Sequence, residues 1–201
     1  MNKIIIGLVG EKVGGKGTAA QYLVEKYGAQ TFRFSKILND VLDRLYIPQT
    51  RENQTKMSVT LREAFGQNLF AQVIAGDAKN AATPLIVIDG IRRWGDVEAL
   101  KDLPGFHLLY ITAPVEIRWQ RARGRGEKVG ESEMSLETFK EEENLSTEKD
   151  IPEIGRSAGF MLDNTGSIEE YYASVRSILE YIKAGDFDHP HPHRNKLHTS
   201  P

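Results

Sequence analysis

A chain of 201 residues, 40% hydrophobic and 27% charged, has the composition of an ordinary soluble globular protein, long enough for one sizeable core and with no visible second domain. Its formal net charge of -2 argues against general nucleic-acid binding, and zero cysteines exclude a disulfide framework or a cysteine-held zinc. No apolar stretch is long enough to span a bilayer, and no cleavage-type segment follows the N-terminal apolar run. The expected setting is therefore the cytoplasm, with no nucleic acid or membrane as partner.

The first predicted element is a strand. Ile4, Ile5, Ile6, Leu8 and Val9 form a near-continuous apolar run, the pattern of a strand buried on both faces of a parallel sheet. A glycine-rich turn follows directly, in which Gly10, Gly15 and Lys16 fit the spacing G-x-x-x-x-G-K, with Gly14 beside them. Thr18 to Tyr27 then reads as the helix that such a loop opens. Polyphosphate carries several negative charges, so a loop that holds it needs consecutive backbone N–H groups converging on one point. Glycines allow that curvature. The helix start adds free N–H groups and a positive dipole end, and Lys16 is placed to reach the β- and γ-phosphates. Gly17 stands where most such loops carry the hydroxyl that ligates Mg²⁺. A hydroxyl comes one residue later, at Thr18, so the metal would depend chiefly on phosphate oxygens and on waters fixed by a carboxylate elsewhere.

Gly28 stops the first helix, and Gln30 to Ser35 alternates as a second strand. Ser35 reads as the N-cap of a helix over Lys36 to Tyr46, and Pro48 ends it. Thr50 to Lys56 reads as a polar connector. A long helical pattern runs from about Val59 to Lys79, with Leu61, Ala64, Phe65, Leu69, Phe70, Val73 and Ile74 expected inward. Leu85 to Asp89 is a third buried strand, Trp94 to Leu103 a short helix, and His107 to Thr112 a fourth strand. Pro114 opens a helix to about Arg123. From Gly124 to Asp150 the composition is polar, with Met134, Leu136 and Phe139 as the few apolar anchors, which suits a mobile cover. Phe160 to Asp163 is a fifth strand and Ser167 to Ile182 a final amphipathic helix. Asp186 to Pro201, with His189, His191, His193 and His198 alternating with prolines, reads as a disordered terminus.

Strands alternating with helices imply a parallel sheet covered on both faces, and ligands in such sheets bind beyond the carboxyl ends of the strands. That rule brings Gly10 to Lys16, Ser35, Asp89 to Arg93 and Asn164 to one rim. Asp89, closing its strand, is placed to hold Mg²⁺ through water. Arg121 and Arg125, four apart on a helix, share a face and can converge on one anion, with Arg118 one turn earlier.

The ending Gly15-Lys16-Gly17-Thr18 resembles adenylate kinase and its nucleoside monophosphate kinase relatives. Asp89-Gly90-Ile91-Arg92-Arg93 is similar to that family's D-G-F-P-R stretch, whose Arg grips the acceptor monophosphate. Register puts Arg93 at that Arg, while Arg92 is the one expected to face the site, with Trp94 anchoring Arg93 outward. Arg121-Ala122-Arg123-Gly124-Arg125 resembles the R-x-x-G-R that opens the family's lid, and Asn164-Thr165-Gly166-Ser167 resembles the turn bordering the donor's adenine. The resemblance implies a three-layer sandwich with a five-stranded parallel sheet in the order 2-3-1-4-5 and helices on both faces. It also implies an acceptor-binding region at about 35–82 and a small lid at about 124–150, within a kinase domain spanning 1–185. Transfer of the γ-phosphoryl of Mg-ATP to a small phosphate acceptor would follow. Gly10, Gly14, Gly15, Lys16, Gly17, Thr18 and Asn164 would bind ATP, and Lys16, Arg92, Arg121 and Arg125 would neutralise the moving charge. Ser35, Arg51, Arg62, Arg92 and Arg93 would hold the acceptor, and Asp89 with a weaker contribution from Thr18 would hold Mg²⁺. A nucleoside or deoxynucleoside monophosphate is the first expectation for the acceptor and dephospho-coenzyme A the second. A non-catalytic nucleotide-binding switch is the rival from another class.

Overall fold

The computed structural model describes residues 3–125, 131–143, 148–185, 187–189 and 191–195. Five strands, β1 (Ile4–Val9), β2 (Gln30–Arg33), β3 (Leu85–Asp89), β4 (Phe106–Thr112) and β5 (Phe160–Asp163), pair in parallel in the order β2-β3-β1-β4-β5. This is the sheet expected from the sequence. Because successive side chains in a strand point to opposite faces, β1 divides its apolar residues between two cores. Ile6 and Leu8 pack with α1 (Lys16–Tyr27) and the last helix α9 (Ile168–Ala184), through Leu23, Val175 and Ile178. Ile5 and Val9 pack on the opposite face with α4 (Leu69–Asn80), α5 (Trp94–Leu100) and α8 (Ile151–Arg156), through Ile74, Leu100 and Ile154.

The connection between β2 and β3 departs from expectation. The helix after β2, α2, starts at Phe34 rather than after Ser35 and ends at Arg44, and its N-cap Arg33 makes no side-chain cap bond. Residues read as a polar connector form a helix, α3 (Arg51–Phe65), because Thr50 caps it, its Oγ1 accepting the N–H of Asn53 at 3.2 Å. Gly66 (φ 102) then breaks what reads as one long helix, and α4 begins at Leu69. The break rotates the apolar pattern. Phe70 and Ile74 are buried as expected, whereas Ala64, Phe65 and Val73 face outward.

After β4 come α6 (Val115–Arg125), a single 3-10 turn (Glu131–Glu133) and α7 (Leu136–Glu143), whose Phe139 is fully buried. The parts of the expected lid at 126–130 and 144–147 lie outside the described residues. Residues 187–189 and 191–195 belong to the segment read as a disordered terminus, and His193, Arg194 and Asn195 among them meet the outer edge of β5. Phe160 and Arg194 form an antiparallel bridge, Met161 N–H donates to the His193 carbonyl at 2.8 Å, and the Asn195 N–H donates to the Gly159 carbonyl at 3.0 Å. An edge strand exposes unpaired backbone groups, and this segment supplies partners that composition alone does not reveal.

The sheet fixes the site through Gly10. A methyl at Gly10 would sit 2.0 Å from the Ile111 carbonyl oxygen, so the chain leaves β1 in contact with β4 backbone. Gly10→Ala is expected to cost about 2–4 kcal/mol of stability, read as a lower urea midpoint at unchanged slope.

Candidate functional site

Residues 10 to 16 wrap the carboxyl end of β1. Val13 (φ 59) and Gly15 (φ 116) both hold left-handed backbone, which turns successive N–H groups toward one side of the loop. For a β-branched residue such as Val13 this conformation costs roughly 1–3 kcal/mol and persists only under outside constraint. Three constraints are visible. Asn164 Nδ2 donates to the Gly14 carbonyl at 2.9 Å, and Tyr171 Oη donates to the Gly15 carbonyl at 2.9 Å. A Cβ on Gly15 would lie 2.4 Å from the Asn164 amide, so only glycine lets that buttress close. On the other side, Arg118 is buried, donates through Nε to the Ala113 carbonyl at 2.8 Å, reaches the Lys12 carbonyl at 3.4 Å, and forms a forked pair with Glu143. Arg118 is therefore a structural joint between loop, α6 and α7 rather than a third member of the Arg121–Arg125 face.

α1 begins at Lys16 with Gly15 as N-cap and no side chain capping it, so its first-turn N–H groups are left for an anion. Lys16 Nζ donates to the carbonyls of Gly10 and Glu11 at 2.7 and 2.8 Å. Burial holds its pKa below the usual lysine value, opposed by the nearby carboxylate of Asp89.

A cavity of ≈ 1450 Å³ opens over this loop. That exceeds the roughly 300–1,000 Å³ of a typical small-molecule site. At the loop it is lined by Gly15, Lys16, Gly17, Thr18 and Asn164, while Gly10 and Gly14 serve from behind by permitting close backbone packing. Arg121 and Arg125 line it from α6, and Arg121 Nη1 is buried without a hydrogen-bond partner among the described residues. The end of β3 and the turn after it contribute Asp89, Arg92 and Arg93, and Ser35, Arg51 and Arg62 form the wall on α2 and α3. Every arginine named from the sequence for acceptor or donor thus faces one space.

The two arginines after β3 differ in their surroundings. Arg92 pairs with Glu148 and is half-exposed. Arg93, which the sequence reading turned outward onto Trp94, lines the cavity close to Arg62 and Asp96, whose charges it affects. Arg62 is itself buried, its guanidinium donating to the Gln67 carbonyl and stacked 4.8 Å from the centre of the Phe70 ring. Burial lowers its pKa, and the nearby Arg93 lowers it further. Asp89 lies opposite Leu8 of β1 and takes an ion pair from Arg33 at 3.3 Å.

Sequence reasoning missed several residues here. Glu142 pairs with Lys12 at 2.7 Å while the Lys12 ammonium lies 3.8 Å from the centre of the Phe139 ring, which pins α7 onto the loop. Glu148 carries no motif that could have marked it. Asp96 caps the start of α5, but an Arg three residues before it is not the sequence signature of a capping box, so the pattern did not mark it.

A family model described as an AAA domain matches residues 14–140, from within the phosphate loop into α7. The chain belongs to this AAA domain family. The fold is shared with solved structures: a Thermus thermophilus protein, TT1252, superposes with a TM-score of 0.59 at 20% identity, covering 90% of this chain and 98% of that one. A shikimate kinase from Bacteroides thetaiotaomicron gives 0.60 at 11% identity over 90% of this chain and 98% of its own. One from Acinetobacter baumannii, in complex with shikimate, gives 0.54 at 15% identity over 92% and 96%. In sequence the chain is 28% identical to a UPF0200 protein of Thermococcus gammatolerans over 90% of this chain and 97% of that protein. It is 29% identical to a UPF0200/UPF0201 protein of Archaeoglobus fulgidus over 87% of this chain, and there it spans only 54% of the relative's length. Among the described residues of this AAA domain chain, no helix is long and apolar enough to cross a membrane.

Because Asn164 holds the loop rather than reaching outward alone, Asn164→Ala is expected to lower whatever affinity the loop has for a nucleotide about 5- to 10-fold, the worth of one buried hydrogen bond. Isothermal titration with ATP reads the change directly.

Proposed function

We propose that this protein transfers the γ-phosphoryl group of Mg-ATP to a nucleoside or deoxynucleoside monophosphate. The observation that carries the reading is the continuity of one ≈ 1450 Å³ cavity from the phosphate loop to a second basic cluster, Arg51, Arg62 and Arg93, on the wall formed by the α2–α3 region and the turn after β3. A protein that only binds a nucleotide has no use for a second set of arginines facing the same space. A planar guanidinium gives a phosphate two parallel hydrogen bonds, and several of them suit a dianionic acceptor.

In this reading the loop N–H groups and Lys16 hold the β- and γ-phosphates, Lys16 exchanging its two loop carbonyls for phosphate oxygens. Arg121 and Arg125 approach from α6, and Arg92 comes from the opposite side. Phosphoryl transfer passes through a loose transition state with charge on the equatorial oxygens, so such positioned cations supply most of what catalysis needs. Arg51, Arg62 and Arg93, with Ser35, orient the acceptor phosphate. The donor set fits Mg²⁺ in a limited way. Thr18 and Asp89 both line the cavity, and among the described residues no three acidic or histidine groups cluster, which matches an ion that keeps waters and takes phosphate oxygens. Bound there, Mg²⁺ would neutralise phosphate charge.

ADP formation from Mg-ATP, measured against ribo- and deoxynucleoside monophosphates, dephospho-coenzyme A and shikimate, tests the reading. Turnover with a nucleoside monophosphate supports it, while silence across that class with ATP bound contradicts it. Lys16→Ala is expected to lower kcat on the order of 10²–10³-fold, as loss of an oxyanion-type contact does. Arg93→Ala is expected to raise the acceptor KM about 10- to 100-fold with little change in the KM for ATP, the loss of a charged hydrogen bond on one substrate only. Steady-state kinetics with each substrate varied separates the two.

A further inference from the structure

Asp96 sits in the cavity wall, in the first turn of α5, and is 3% exposed. Its Oδ2 accepts the backbone N–H groups of Arg92 and Arg93, each at 3.2 Å, which accounts for a capping role. Oδ1 is not accounted for. It is shielded from solvent and has no hydrogen-bond partner among the described residues. Nearly all buried polar atoms in folded proteins are paired, because leaving one unpaired forfeits the water it gave up. Oδ2 is thus used by the two N–H groups that lead into α5, and the unused capacity of the carboxylate is Oδ1.

The surroundings define what could use it. Arg62 and Arg93 both lie close enough for their charge to favour ionised Asp96, and the three residues line the same cavity. Burial opposes ionisation and pushes the Asp96 pKa up. A hydrogen-bond donor arriving at Oδ1 would relieve that opposition. Two cations beside one under-used acceptor make a pocket for a group that is anionic at one point and a donor at another. A fully ionised phosphate satisfies only the cations.

We infer that Asp96 determines acceptor specificity: its Oδ1 accepts a hydrogen bond from an N–H or O–H group of the acceptor, whose anionic group is held by Arg62 and Arg93. This rests on the phosphotransferase reading above and adds a demand that reading does not make. The acceptor must carry a donor, such as the exocyclic amine of a base or a ribose hydroxyl, and analogues without it must be poorer substrates.

Asp96→Asn keeps an oxygen for the Arg92 and Arg93 N–H groups and turns the other position from acceptor to donor at almost constant shape. The experiment measures ADP release by the full chain and by this variant with the best monophosphate of the panel, and with analogues of it that each lack one donor. For AMP these are purine riboside 5′-monophosphate and 2′-deoxy-AMP; for CMP, the pyrimidinone riboside 5′-monophosphate and 2′-deoxy-CMP. The expected result is a rise in acceptor KM of about 10- to 100-fold in the variant, the range for a hydrogen bond to a charged group, with kcat less affected and the KM for ATP unchanged. One donor-deleted analogue should show the same loss with the unmodified protein and no further loss with the variant. An unchanged acceptor KM, or an equal loss with every analogue, would reduce Asp96 to a helix cap and overturn the inference while leaving phosphotransfer intact. The analogue series on the unmodified protein decides the matter if the variant does not fold. Silence of the unmodified protein with every monophosphate would overturn the underlying reading, and the inference with it.

Discussion

The backbone of the phosphate loop is the constraint on which the rest of the structure depends. Turning consecutive N–H groups toward one point requires left-handed residues at Val13 and Gly15, a shape the chain does not hold on its own. The sheet provides the hold. Gly10 lets β1 pass against the Ile111 carbonyl, Asn164 at the end of β5 and Tyr171 of α9 bind the carbonyls of Gly14 and Gly15, and Arg118 of α6 reaches the Lys12 carbonyl. Residues more than a hundred positions away in the chain thus converge on seven at its start. Their convergence follows from strand order, since β4 stands beside β1 and β5 beside β4, on the side that carries these groups.

Charge is organised around the same point. A chain of net charge -2 concentrates Lys12, Lys16, Arg62, Arg92, Arg93, Arg121 and Arg125 around one cavity, and balances part of that charge locally. Glu142 engages Lys12, Glu143 engages Arg118, Glu148 engages Arg92, and Asp89 engages Arg33. Glu142, Glu143 and Glu148 come from the region expected to cover the site. Each pair offsets part of the repulsion among the clustered cations.

The sheet and the loop were legible because their signals are local. A continuous apolar run followed by Gly10, Gly15 and Lys16 marks β1 and the loop, alternating elements imply a parallel sheet, and the strand order came from the family resemblance rather than from the pattern. The α3 region was less legible, since Thr50 as a cap and Gly66 as a break act through single residues while periodicity averages over many. Arginine direction was the least legible. Arg118 and Arg121 are one turn apart on one helix, yet the first is a buried joint and the second faces the cavity, a difference set by Glu143 and Ala113 and by nothing in the helix's own pattern. Arg92 and Arg93 differ likewise through Glu148, Arg62 and Asp96, all remote in the chain or hidden in a cap. The segment after α9 was read from composition, which is blind to the open edge of β5 that it meets.

The central claim is that loop and arginine cluster are two halves of one site. Equilibrium binding of a compound with two nucleosides joined by five phosphates tests it most directly, because such a molecule spans both halves at once. The account predicts that it binds at least about 100-fold more tightly than ATP, as linked occupancy of two subsites allows, and that Arg93→Ala removes most of that gain while leaving ATP affinity unchanged. Affinity equal to that of ATP, untouched by Arg93→Ala, would contradict it.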